Sequence, residues 1–496
     1  MAAAIDWHSE AGKLNFRSQA FIGGKFVPAA SGETFDNISP VDGKVLAKVA
    51  AGDKEDIDRA VKAARAAFNS GKWSDAAPKQ RKRTLQKFAD LIVKHADELA
   101  LLETLDMGKP ITFAKNVDIM GVAEVVRWYA EAIDKIYDEI APTPKDVLAM
   151  ITREPLGVVG AVVPWNFPLL MASWKFGPAL AAGNSMVLKP AEQSPLSALR
   201  VAELALEAGL PEGVFNVVPG YGETAGQALG RHMDVDAIAF TGSTEVGKYF
   251  LKYSGESNMK AVSLECGGKT PNIVFADTAN LDAAALGAAS GIFFNSGQVC
   301  VASSRLLVEE KIHDEFVEKV KNISAAFHPG DPLDPATRMG SMVDKNQMDR
   351  VLSYVAKGEK EGAKLATGGK QVMQNSGGYY VEPTIFDQVA NSMVIAQEEI
   401  FGPVLSTITF KDTAEAVKIA NDSIYGLQAC LWTNDLSKAH SVARALRAGT
   451  VNINNTDGGG IEVPFGGYKQ SGFGRDKSLH ALDKYTQLKT TYIKLS

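Results

Sequence analysis

The feature that most constrains this chain is a repeated alternation of short β-rich runs with helical periodicity. Residues 184–189, 195–209 and 214–218 read strand, helix, strand, and 237–240 followed by 245–253 repeat strand then helix. Alternation of this kind predicts a parallel sheet with helices on both faces. A second series begins at 272–275. It continues through a helix at 281–293, a strand at 304–308 and a long helix at 313–327, then a loop at 330–335, and the pattern recurs from 381 onward. Before these lie a β-rich entry at 15–50, helices at 53–70, 78–105 and 118–136, and a β-rich run at 151–163. With 496 residues the chain exceeds one core, and two α/β domains are expected. The last segment, 485–495, reads as a strand with no sequential partner, so it needs a sheet edge in its own chain or another.

Net charge is −6, with no basic run and no aromatic–basic interleaving, which gives no support to nucleic-acid binding. The first 20 residues lack a signal-peptide pattern. Two charge-free runs, 155–174 and 283–304, are broken by Pro164, Asn166 and Pro168 and by residues 295–298, so neither reads as a membrane span. The expected location is the cytoplasm. The seven histidines show no metal or triad spacing, and no metal is expected.

Three cysteines, Cys266, Cys300 and Cys430, are too few and too scattered for a disulfide framework. A buried cysteine is usually a small inert hydrophobe. Cys300 differs because Ser296-Gly297-Gln298 precede it and let the chain turn, so the thiol is aimed rather than packed. About 35 residues upstream, Leu264-Glu265-Cys266-Gly267-Gly268-Lys269 sets a carboxylate beside a glycine pair. A thiol and a carboxylate of this kind suit a nucleophile and its base. Cys266 and Cys430 read as space-filling.

Three glycine patterns compete for a phosphate-binding role. The run from Gly220 to Ala225 fits the dinucleotide fingerprint with alanine last. The segment from Gly242 to Lys248 is nearly a P-loop but places Tyr249 where a hydroxyl would meet magnesium, and Gly268-Lys269-Thr270 lacks the spaced glycine. Gly242-Ser243-Thr244 nevertheless opens a helix directly after a strand, where free N–H groups bind a pyrophosphate without magnesium. Lys189 and Glu192 end a neighbouring strand; there Glu192 either grips ribose hydroxyls and repels a 2′-phosphate or merely faces solvent.

These segments resemble the aldehyde dehydrogenase superfamily over essentially the whole chain. The resemblance is carried by Pro164-Trp165-Asn166-Phe167-Pro168, Phe240-Thr241-Gly242-Ser243-Thr244, the Glu265 segment, Gly297-Gln298-Val299-Cys300, Glu399-Ile400-Phe401-Gly402-Pro403 and Pro464-Phe465-Gly466-Gly467. Within the family, residues 127–135 and 474–482 are most similar to the γ-glutamyl-γ-aminobutyraldehyde and guanidinobutyraldehyde type. The likeness implies two doubly wound parallel-sheet domains plus a small β oligomerisation domain. It places a NAD-binding domain at 1–139 and 158–268, a catalytic domain at 269–470, and the oligomerisation piece at 140–157 and 485–496. Homodimers or homotetramers are implied, and the cofactor loop becomes Gly242 to Gly247 rather than Gly220.

By the same resemblance Cys300 is the nucleophile, Glu265 the general base and Asn166 an oxyanion donor. Trp165, Lys189, Glu192, Gly242, Ser243, Gly247, Glu399 and Phe401 would hold NAD, with NAD preferred over NADP. Lys175 would join a proton path. Asp476 stands where the family commonly has glutamate; its part in a relay is open, with Arg475 or Lys477 as candidate partners. Phe167, Met171, Trp174 and Phe465 would line the substrate tunnel. Gly459 would widen its mouth, and Asp118, Asp457 and Glu462 would gather there to hold a cationic tail, unless Asp118 and Asp457 are structural. The expected reaction is oxidation of an aldehyde to its acid through a cysteine thiohemiacetal and thioester. The expected substrates are ω-amino, ω-guanidino or γ-glutamylamino aldehydes. The alternative is broad specificity for simple aliphatic or aromatic aldehydes. An acylating enzyme using coenzyme A and a non-catalytic binding protein are disfavoured by the presence of Glu265, and of Cys300 and Asn166.

Overall fold

Five parallel strands, Phe215–Val217, Ser185–Lys189, Val158–Val162, Ala237–Thr241 and Ala261–Glu265, lie side by side in that order. In the computed structural model, which describes residues 5–495, these form the centre of an eight-stranded sheet. The chain order 3-2-1-4-5 is that of a doubly wound nucleotide-binding sheet. Its switch point falls between Val158–Val162 and Ala237–Thr241, where the chain leaves one side of the sheet for the other. Antiparallel edges complete it: Ala20–Ile22 with Lys25–Val27 at one side and Gly472–Phe473 at the other. The central strands read as continuous apolar runs because both faces are covered.

The second sheet has seven strands, ordered Lys364–Thr367, Thr384–Asp387, Val404–Phe410, Arg305–Glu309, Pro271–Val274, Gln428–Trp432 and Thr450–Ile453. All its pairings are parallel except the first. Only residues 266–270 separate the end of Ala261–Glu265 in the first sheet from the start of Pro271–Val274 in the second. The carboxyl edge of one sheet is thereby tied to the amino edge of the other, and a cleft forms along that seam.

The C-terminal strand Thr486–Lys494 finds its edge within its own chain. It pairs antiparallel with Val147–Pro155 from Thr486 opposite Pro155 to Lys494 opposite Val147, and Glu139–Ala141 completes a three-stranded sheet. The β-rich run at 151–163 is therefore two strands in two sheets, split at Gly157, whose φ of 133° turns the chain.

The helix expected at 53–70 runs Lys54–Asn69, started by a capping box between Asp53 and Asp56. The helix expected at 78–105 breaks at His95 into Pro78–Lys94 and Ala96–Met107. The break has a physical cause. The first piece is amphipathic, whereas the second is buried around nearly its whole circumference and cannot share the first one's axis. The helix expected from 118 starts earlier, as a π turn at Ala114–Ile119 running into Met120–Ala132.

Candidate active site

Three of the five central strands of the first sheet deliver residues to the seam as they end. Val158–Val162 runs out into Pro164, Trp165 and Asn166; Ala237–Thr241 into Gly242 and Ser243; Ala261–Glu265 ends on Glu265 itself. The second sheet supplies residues that precede its strands. Cys300 lies before Arg305–Glu309, and Glu399 and Phe401 lie before Val404–Phe410. All nine of these residues, Met171 among their neighbours, line one cavity of about 440 Å³.

Cys300 is presented by an unusual turn. After the helix Leu281–Phe293, Asn295, Ser296 and Gly297 adopt successive positive φ values of 50°, 55° and 72°. Two of these are not glycine, so the turn is held by bonds. Asn295 Nδ2 donates to Asn166 O (3.0 Å) and Gln298 O (3.2 Å), and Ser296 Oγ to Gly340 O (3.0 Å). Gln298 Oε1 accepts from Val343 N–H at 2.9 Å. Gly297 needs its missing Cβ, which would lie 2.1 Å from Gly402 O. Asn166 Nδ2 donates to Gln298 O at 2.8 Å, leaving its second N–H. Nucleophile loop and amide thus share one carbonyl.

Burial, reinforced by Glu265 and Glu399, pushes the Cys300 thiol well above its ordinary pKa, so the resting group is a neutral thiol. Glu265 is raised well above the carboxylate range, first by burial and then by Asp476, against Lys175, Lys484 and Arg475. Its Oε1 has no hydrogen-bond partner among the described residues. Asp476 itself pairs with Lys175 and Lys484, with Asp476 and Lys175 buried. Burial pushes Asp476 up, but the two ammoniums overcome it and hold the carboxyl below its usual range. Pairing of Asp476 with Arg475 or Lys477 does not occur, since Arg475 donates to Gly467 and Gly474 carbonyls and Lys477 to Gly459 O. Nothing in the sequence near Lys484 signalled this role.

The residues present fit a dinucleotide. The helix Thr244–Gly255 is capped by Ser243, whose Oγ accepts from Val246 N–H at 3.3 Å. Gly242 carries no side chain at the cleft wall, and a Cβ there would meet Phe240 at 2.5 Å. Gly247 lets the helix close on Cys266, 2.9 Å from where a Cβ would stand. Thr241 Oγ1 is buried without a partner among the described residues. Trp165 and Phe401 meet edge to face at 5.2 Å, and Phe401 holds φ 60° while Gln347 Nε2 donates to its carbonyl at 2.8 Å. Glu399 Oε1 accepts from Gly268 N–H at 3.1 Å, and burial raises its pKa to about 7. Lys189 and Glu192 stand at the next strand end, outside the lining of this cavity, joined at 3.2 Å. Glu192 is therefore not free in solvent. The fingerprint glycine Gly220 instead abuts Gly52 O, 2.3 Å from a would-be Cβ.

The expected tunnel residues separate into groups. Met171 lines the cavity. Trp174, one helical turn on, meets Phe465 at 5.1 Å, and Phe167 lies 6.2 Å from Phe294. Asp457 and Gly459 sit on an exposed loop, where Gly459 holds φ 89°. Asp118 corrects the expectation of an acidic mouth. It is fully buried and ion-paired with the equally buried Lys109, whose ammonium lies 3.6 Å from the centre of the Phe167 ring. The π turn at Ala114–Ile119 rotates it inward. Cys266 and Cys430 are buried packing residues.

A doubly wound sheet whose switch point opens onto a loop-borne cysteine defines a pyridine-nucleotide-dependent, thiol-based oxidoreductase. The chain belongs to the aldehyde dehydrogenase family, which it matches over residues 26–491. It is 55% identical to the NADP/NAD-dependent aldehyde dehydrogenase PuuC of Escherichia coli, over 99% of this chain and 98% of that one. Among solved structures it is similar to an indole-3-acetaldehyde dehydrogenase complexed with NAD+, at 61% identity and TM-score 0.98, with 99% of each chain covered. It is similar also to a γ-glutamyl-γ-aminobutyraldehyde dehydrogenase from Burkholderia cenocepacia, at 56% identity and TM-score 0.97, again over 99% of each chain. Among the described residues no helix is long and apolar enough to cross a membrane.

Proposed function

We propose that this aldehyde dehydrogenase oxidises amino-bearing aldehydes to acids with NAD, using Cys300 as nucleophile, Asn166 as oxyanion donor and Glu265 as base. The observation that carries the reading is the convergence of these three on one cavity with Gly242, Ser243, Glu399 and Phe401. Gly242, Ser243, Glu399 and Phe401 would hold NAD, which would supply the hydride acceptor. Everything else falls to the chain. Cys300, once deprotonated, attacks the aldehyde carbon as a thiolate, and the Asn166 N–H and the Cys300 backbone N–H receive the oxygen as it becomes anionic. Loss of hydride from that carbon leaves a thioester on Cys300. Glu265 then takes a proton from water, which attacks the thioester and releases the acid and the thiol. Burial disfavours the charged form of both Glu265 and Cys300, so each must shed any proton it holds before it acts.

The substrate reading, ω-amino, ω-guanidino or γ-glutamylamino aldehydes, draws on the relatives and on Asp457 and Glu462 at the exposed loop. The indole-3-acetaldehyde relative supports broad specificity as the second reading. Domains as bounded from the sequence, and association through the 140–157 and 485–496 piece, are part of the proposal. Leu488, Tyr492 and Ile493 project exposed from the strand Thr486–Lys494. The test is NADH formation across a panel of aldehydes. Absence of turnover with all of them refutes the reading.

A further inference from the structure

Beside the aromatic pair Trp174–Phe465 stands a cation that the mechanism does not use. Lys477 is 9% exposed, with its ammonium 5.6 Å from the centre of the Trp174 ring and 6.0 Å from that of Phe465. Trp174 follows Met171 by three residues on Pro168–Ala182, so both share a face, and Met171 lines the catalytic cavity. Lys477 therefore stands at the level of Trp174, about 4.5 Å beyond Met171 along the helix and outside the residues that line that cavity.

The backbone is forced to put it there. Lys477 and Ser478 hold φ of 61° and 48°, both in the left-handed region that side-chain-bearing residues avoid. The kink is pinned on every side. Asp476 and Phe465 exchange backbone bonds at 2.7 and 2.8 Å, Ser478 N–H donates to Ile461 O at 2.7 Å, and Tyr129 Oη donates to Ser478 O at 3.1 Å. The ammonium makes one hydrogen bond among the described residues, to Gly459 O at 2.7 Å. Two of its three N–H groups are left over. Among the described residues it forms no ion pair. Glu462, Asp457 and Glu124 act on it only from a distance, and Glu462 is engaged with Gly460 N–H at 3.1 Å. A largely buried cation with unused donors is costly unless an anion arrives to meet it.

We propose that Lys477 is a specificity-determining residue that receives a carboxylate at the far end of the substrate, while the exposed acids Asp457, Glu462 and Glu124 around it accept the neighbouring ammonium. The tail so recognised is an α-amino acid head group, joined to the aldehyde through an aliphatic spacer lying against Trp174 and Phe465. The proposal rests on the aldehyde dehydrogenase reading and narrows its substrate class.

The experiment compares kcat/KM for γ-glutamylaminobutyraldehyde, its α-carboxamide, and an unsubstituted aldehyde of equal length, in the parent enzyme, Lys477→Gln and Lys477→Arg, at low and high salt. The parent should prefer the free acid over the carboxamide at least tenfold, mainly through KM, and salt should shrink that preference. Lys477→Gln should abolish it and Lys477→Arg should keep most of it. Equal kcat/KM for acid and carboxamide in the parent, a comparison that needs no variant, overturns the proposal. So does a Lys477→Gln enzyme that retains the full preference. If the neutral aldehyde turns over while the acid has no advantage, the aldehyde dehydrogenase reading stands and this one falls. No turnover of any of the three by the parent overturns both.

Discussion

The Asn166 side-chain amide donates to the Gln298 main-chain carbonyl at 2.8 Å, across 132 residues of sequence. That bond fixes the amide relative to the thiol two residues further on, so both sides of the expected oxyanion position are built on one hydrogen-bonded loop. Asn166→Ala should reduce kcat by about a hundredfold, near 3 kcal/mol of barrier. KM for NAD should change little, because the helix start at Ser243 is untouched. Steady-state kinetics with both substrates varied checks this.

Cys300→Ala should abolish dehydrogenase and ester-hydrolysis activity alike, while Cys430→Ala, altering a fully buried packing residue, should retain turnover. Glu265→Gln should bind NAD normally yet turn over slowly. If thioester hydrolysis limits it, a burst of NADH precedes the slow phase, and intact-mass measurement finds an acyl group on the protein. A Glu265→Gln enzyme turning over at the parent rate removes Glu265 from the reaction.

The pH dependence has a definite sign. Burial raises both Cys300 and Glu265, and both act deprotonated. The fraction of competent enzyme therefore grows as pH rises, and kcat/KM should keep climbing into the alkaline range rather than peak near neutrality. A profile that is flat across this range contradicts the assignment.

Asp476 sits between Lys175 and Lys484, so removing its charge strands two ammoniums in the interior. Asp476→Asn should cost about 3–5 kcal/mol of stability, read by denaturant melts. Because the Asp476 pKa is lowered in the folded state, its contribution is complete above the ordinary carboxylate range and is lost as pH falls through the depressed value. The gap between parent and variant should therefore close in acid.

Glu192, tied to Lys189 at the end of the strand Ser185–Lys189, should disfavour a 2′-phosphate. Glu192→Gln should shift the ratio of kcat/KM for NAD over NADP toward NADP by about tenfold, with the freed Lys189 contributing. An unchanged ratio places Glu192 away from the ribose.

Much of this protein is legible in local sequence. Strand–helix alternation specifies the two parallel sheets because period-2 and period-3.6 burial are properties of neighbouring residues. The turn before Cys300 is likewise announced by Ser296 and Gly297, although the positive φ of Asn295 and Ser296 is imposed by distant partners. What the sequence left open are pairings between residues far apart in the chain. Asp118 reads as a mouth carboxylate until a π turn swings it onto Lys109. Asp476 reads as a neighbour of Arg475 and Lys477, yet its partners are Lys175 and Lys484. Lys477 carries no motif of its own; only a backbone kink pinned by Tyr129, Ile461 and Phe465 sets it against Trp174. Residue type and spacing decide which groups are available and which element carries them. Which charges meet, and which are left without a partner, is decided by how the sheets and loops close on one another, because long-range electrostatic and hydrogen-bond partners are fixed by packing geometry rather than by sequence proximity.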